Sequence, residues 1–239
     1  MHVTQKVCGE PPRLSIAGQE MKWVKKIKHL GNIVRSDLKE ADEICHKKCD
    51  LIRRVNHLSV TLGGAPDNVF KVLFNSQCSH LYGCEAWDQQ DASTELMYKT
   101  WNRGVRKILG LPYRTHTRFL SSLLQTPHIE EQVQKRFYKM MMTMVKGKNC
   151  RVSFLIRRMG YDARSISGKN IRCISNKCKL TVNRLLQENC HLQYPSVTPD
   201  DERTIAMIME LRDTLKGINY ISILEPSDIH ILIDYLCCN

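Results

Sequence analysis

The chain has 239 residues, 36 Lys and Arg against 24 Asp and Glu, a formal charge of +12 and 42% hydrophobic residues. These values exclude a disordered or collagen-like chain for most of the length and leave room for one large or two modest folded domains. The most apolar stretch, 218–238, is interrupted by Glu225, Pro226, Asp228, His230 and Asp234, so no membrane-spanning helix is expected. No apolar run follows the first lysine, so a secretory signal is not expected either. The 11 cysteines then read mostly as reduced thiols of an intracellular, reducing compartment, nuclear or cytoplasmic.

The charge is uneven. Residues 91–160 hold 14 basic and 4 acidic side chains, whereas 193–239 hold 3 and 8. A basic middle with an acidic tail points to a polyanion partner for the middle; the plainer alternative is a set of solvated helix faces that happen to be basic.

In chain order, Leu14 to Val34 reads as a β-hairpin with its turn at Gly18 and a bend or bulge at Gly31-Asn32 in the second strand. Ser36-Asp37 resembles a helix cap, and Leu38, Ala41, Ile44, Leu51, Val55 and Leu58 follow at helical spacing up to Leu62-Gly63-Gly64. Pro66 fits the first turn of the next helix, which carries Val69, Phe70, Leu73, Phe74, Cys78 and Leu81. Further helices are expected from Leu96 to Gly110 and from Ile129 to Gly147. Ser165–Asn170 reads as a loop and Leu180–Cys190 as a helix. Thr198-Pro199-Asp200-Asp201 opens a helix that would bury Ile205, Ile208, Met209 and Leu215, and a short helix is expected after Ser227. The expected fold is mostly α, with divisions at 1–35, 36–160 and 161–239.

The residues offer little independent chemistry. There is no Gly-x-Ser-x-Gly nucleophile elbow and no phosphate-cradling glycine loop. Cys173, Cys178, Cys190 and His191 loosely resemble a zinc knuckle, but the spacing lacks a tight cysteine pair and Cys190-His191 adjacency suits tetrahedral ligation poorly. Cys45 and Cys49 stand one helical turn apart with no second pair. Neither metal nor cofactor is expected. His80, His116 and His128 have no partner that spacing identifies.

Three stretches together resemble the C-terminal part of a non-LTR (LINE-type, jockey-like) retrotransposon reverse transcriptase: Ile27-Lys28-His29-Leu30-Gly31 with Ser36-Asp37-Leu38; Leu81-Tyr82-Gly83-Cys84-Glu85-Ala86-Trp87; and Trp101 to Leu111. Gln132 to Phe137 lies downstream as in that family. The resemblance implies a primer grip at 14–34, with His29 standing where an aromatic is usual, followed by a helical thumb lying on a template–primer duplex. His29, Leu30 and Gly31 would then touch nucleic acid, although packing of His29 and Trp23 on the first thumb helix is an equal alternative. Arg103, Arg106, Lys107, Arg114, Arg118, Lys135, Arg136 and Lys139 are the candidate phosphate contacts, with Arg106 and Arg136 foremost. The family's metal-holding carboxylates have no counterpart. The only Asp-Asp pair, Asp200-Asp201, follows Thr198-Pro199 and suits a helix cap. A non-catalytic fragment that binds an RNA or DNA template–primer backbone is therefore expected. Two alternatives stand beside it: a helical module binding a protein partner on an apolar surface, and a truncated product without function.

Overall fold

The structure, a computed structural model, describes residues 13–20, 22–37, 39–62, 65–79, 81–187, 190–194 and 198–217, with side chains through 213. Among these residues it is mostly helical. Two small antiparallel hairpins come first, β1 (Ser15–Ile16) with β2 (Gln19–Glu20) and β3 (Lys26–His29) with β4 (Asn32–Arg35). Gly31 is thus not a bulge within a strand but the turn of a second hairpin. Both turns place two successive residues at positive φ, Ala17 and Gly18 at 51° and 78° and Leu30 and Gly31 at 48° and 83°. That backbone matches the twist of the flanking strands, which is why each glycine sits at the second turn position.

The helices are α1 (Ala41–Thr61), α2 (Asp67–Cys78), α3 (Ala92–Ile108), α4 (Thr117–Leu124), α5 (Ile129–Val145), α6 (Cys150–Tyr161), α7 (Ile166–Cys178), α8 (Val182–Gln187) and α9 (Pro199–Gly217). The first begins four residues later than Ser36-Asp37 implies, because Asp37 has another partner. Its carboxylate takes Arg35 Nε and Nη2, both at 2.9 Å, and the Lys39 N–H. The Arg35 contact holds the Asp37 carboxyl down at about 2. Arg35 also reaches Asp42 in the first turn of α1, and the Ile33 N–H donates to the Glu43 carboxylate, so the second hairpin is tied to that helix.

Two helices were not legible as such, α4 and α6, and the expected loop at 165–170 is the start of α7, where the Ser165 hydroxyl accepts the Gly168 N–H at 2.9 Å. At α9 the expected cap is present: Thr198 Oγ1 accepts the Asp201 N–H while Asp201 Oδ2 accepts the Thr198 N–H and hydroxyl. Ile208 is buried and Ile205 and Met209 pack beside it. Gly63-Gly64, His80, the side chain of Leu215 and the helix expected after Ser227 lie outside the described residues.

Two hydrophobic clusters share α5. The first joins α1, α2, α3 and α4 with Ile129 and Val133 of α5 and Ile208 of α9; Trp87, Trp101 and Phe74 are its largest members. The second joins Phe137, Tyr138, Met141 and Met142 of α5 with Ile171, Ile174, Leu185 and Leu186. Met141 and Met142 of α5 are therefore core, 1% and 4% exposed, and Met140 packs beside them. No described helix is long and apolar enough to cross a membrane.

Candidate nucleic-acid interface

Two of the stretches that carry the resemblance are far apart in sequence and meet in space. Gly83 has φ +85°, and a Cβ there would stand 2.7 Å from the Asn32 amide, so the Leu81–Trp87 segment turns directly against the second hairpin. A side chain at that backbone angle would be strained as well as crowded. Cys84 and Trp87 are buried, and desolvation pushes the Cys84 thiol up to about 12, leaving it inert as a nucleophile. Arg136 of α5 donates Nη1 to the Leu81 carbonyl at 3.1 Å and closes the same knot.

The eleven candidate contacts separate by burial. His29, Leu30 and Gly31 are exposed at the tip of the second hairpin, with Leu30 74% accessible. Arg106 is half-buried and donates Nε and Nη2 to the Thr115 carbonyl at 3.0 and 2.7 Å, a fork that fixes the loop after α3; burial lowers its pKa. Arg106 and Arg136, the two foremost candidates, are thus both engaged on backbone carbonyls. Arg103, Lys107, Arg114, Arg118, Lys135 and Lys139 are exposed. Lys107 donates to Asn56 at 2.8 Å, while Arg118 lies over the Phe119 ring and pairs with Asp201 at 3.2 Å.

Lys135 and Lys139 share a groove with Lys146, which the sequence reading left out. Positions 135, 139 and 146 fall within about 40° of one another at 100° per residue, so the three lysines form a row along α5. The opposite wall is the segment Cys190–Leu192, and the volume between is about 530 Å³. Tyr138 positions that wall: its hydroxyl donates to the Leu185 carbonyl at 3.0 Å and accepts the Cys190 N–H at 3.1 Å. Among the described residues no acid lines the groove. The nearest acid in sequence, Glu131, lies one turn before Lys135; burial pushes its carboxyl up, against the pull of Lys135 and Lys177.

Two of the unassigned histidines have structural partners. His116 Nδ1 accepts the Arg118 N–H at the start of α4, and His128 Nδ1 accepts the Glu130 N–H at the start of α5. The second leaves the proton of the neutral ring on Nε2, facing Asn102 Oδ1 at 2.8 Å, and burial lowers the His128 pKa. Imidazole capping is rarely legible from sequence because it depends on the rotamer. Among the cysteines considered for zinc, Cys173 accepts from Gln134, and Cys190 Sγ donates to the Arg184 carbonyl. Among the described residues no group of three or more His, Cys, Asp or Glu side chains is placed to hold a metal ion.

No protein-family model, no curated protein and no solved structure matches the chain.

Proposed function

We propose that this chain is a non-catalytic nucleic-acid-binding fragment of the primer-grip and thumb kind, holding an RNA or DNA template–primer duplex by its phosphate backbone. The observation that carries this reading is how the charge of residues 91–160 is distributed. Of its four acids, Asp91 caps α3, Glu95 pairs with Lys99 and Glu130 with Lys177, which leaves Glu131 to face the other 13 of its 14 cations. Cations on the outside of α3, α4 and α5 create a surplus suited to phosphate and carry no base-reading geometry. The packing of the Leu81–Trp87 stretch against the second hairpin at Gly83 is a second support, since it brings two of the resembling stretches together. Of the lone Asp-Asp pair, Asp201 is occupied in capping α9.

A hybrid RNA–DNA duplex titrated into the protein tests the reading. If about four phosphates are neutralised, log K should fall against log salt with a slope near −3.6. Salt-independent binding, or none, overturns it. Primer extension with magnesium or manganese and all four nucleotides should give no incorporation; incorporation abolished by a substitution within the chain would overturn the non-catalytic half.

A protein partner is the second reading, and α6 favours it. Phe154 and Leu155 are 63% and 55% exposed beside Arg151, around a cavity of about 450 Å³.

A further inference from the structure

We infer that the groove between α5 and Cys190–Leu192 is a track for a single nucleic-acid strand, separate from the duplex-facing cations of α3 and α4. The inference rests on the nucleic-acid reading and deepens it by naming a site and a strand type. Its first ground is charge. Lys135, Lys139 and Lys146 form no ion pair among the described residues, His191 is exposed on the facing wall, and no carboxylate among the described residues lines the groove. Three ammonium groups in a row repel one another unless an anion lies between or along them.

The second ground is shape. Eleven positions of helix, from Lys135 to Lys146, rise about 16 Å. A row of that length exceeds what one phosphate needs and matches a ligand carrying several phosphates in line. The groove, about 530 Å³ in volume, has room along the lysine row for one sugar–phosphate backbone. The third ground is rigidity. Tyr138 holds the far wall by accepting the Cys190 N–H while its own proton goes to the Leu185 carbonyl of α8, and Lys135 lies 5.0 Å from the centre of the Tyr194 ring. The lysine row therefore faces a wall already in place, and part of the ordering cost of binding is met before the ligand arrives. Arg103, Lys107 and Arg118 stand on other helices outside this groove.

Fluorescence anisotropy with the full chain tests the inference, using a labelled oligodeoxythymidine strand and a labelled hybrid duplex. Lys135→Glu, Lys139→Glu and Lys146→Glu combined should weaken the single strand at least tenfold, and the corresponding three Lys→Gln changes should flatten its salt slope by about 2, from −0.7 per contact. Both should change duplex affinity much less. Arg103→Glu, Lys107→Glu and Arg118→Glu combined should do the reverse. All three lysines are exposed, so the Lys→Gln protein is expected to keep the circular dichroism and Tm of the unaltered chain. Single-strand affinity unchanged in the α5 variants overturns the inference, as does equal loss for strand and duplex. Duplex binding without single-strand binding in the unaltered chain overturns the inference alone. Absence of both overturns the proposed function with it.

Discussion

Arg106 and Arg136 carry the same formal charge as Lys135, Lys139 and Lys146, yet the two groups hold opposite positions in the molecule. The arginines are half-buried and point their planar donors at the carbonyls of Thr115 and Leu81, where they tie loops to α3 and α5. The lysines stand on a neighbouring face of α5 along a groove that no acid among the described residues lines. The difference follows from chemistry as much as place. A guanidinium is weakly hydrated and presents several N–H groups in a fixed fork, so it can be drawn inward to satisfy a carbonyl. An ammonium is strongly hydrated and stays at the surface, where an anion can reach it. Stretches of sequence that are basic for structural reasons and stretches that are basic for binding are therefore interleaved along one helix, with Lys135 and Arg136 adjacent.

The sharpest way to break that contrast is to remove what the inner arginines brace. Trp87 is 1% exposed, and its carbonyl accepts the Asn170 amide at 2.8 Å. Trp87→Ala should cost about 3–5 kcal/mol through the cavity it leaves. Urea unfolding is the measurement, and a loss below about 1 kcal/mol would show that the Leu81–Trp87 knot is not part of the core.

A smaller effect separates the two kinds of cation directly. Arg136→Met keeps the side-chain length and removes the charged donor from the Leu81 carbonyl, leaving it the Cys84 N–H alone, for a loss of about 1–3 kcal/mol. Lys139→Gln on the exposed row should change stability by no more than about 0.5 kcal/mol and reduce nucleic-acid binding at low salt. Equal stability losses in the two variants would remove the distinction.

The smallest effect concerns a carboxyl rather than a cation. Glu40 precedes α1 and accepts the Asp88 N–H at 2.8 Å; burial pushes its pKa from 4.5 up to about 6, with Asp88 and Asp91 adding to the shift and the Asp88 N–H opposing it. Because the folded value lies above the ordinary one, folding favours the protonated form. That contribution is complete below about pH 4.5 and is lost as pH rises through about 6. Glu40→Gln retains an acceptor for the Asp88 N–H without the charge. Its Tm should match that of the unaltered chain at pH 4.5 and exceed it at pH 7. A constant Tm difference across that range would show that Glu40 is not the group responsible.

Much of the helical framework was legible because apolar side chains recur with the helical period over long segments, as in α1, α3 and α5. The short α4 was missed for the converse reason. Its eight residues give too few turns for the period to stand out, although Phe119, Leu120, Leu123 and Leu124 are all buried. At α7 the Ser165 and Gly168 pair has the composition of a loop. The serine is a cap, and the glycine lies so close to the Asp162 carbonyl that a Cβ would stand 1.9 Å from it. The second hairpin was read as a bulged strand, since a lone glycine among apolar residues fits either geometry until two successive positive φ values identify a turn.

Of the candidate site, sequence alone determined which segment is rich in cations and poor in acids, because charge is additive along the chain and needs no fold to be counted. It also determined the capping of α9, whose hydroxyl, proline and acids act within four residues of one another. The tertiary structure alone decided which cations face inward, because Arg106 and Arg136 find their carbonyls 9 and 55 residues away. It alone brought Lys146 and His191 into one groove with Lys135 and Lys139. The wall that faces the lysine row is held by a hydroxyl of α5 that accepts the Cys190 N–H 52 residues downstream, and no local pattern encodes a contact across that distance.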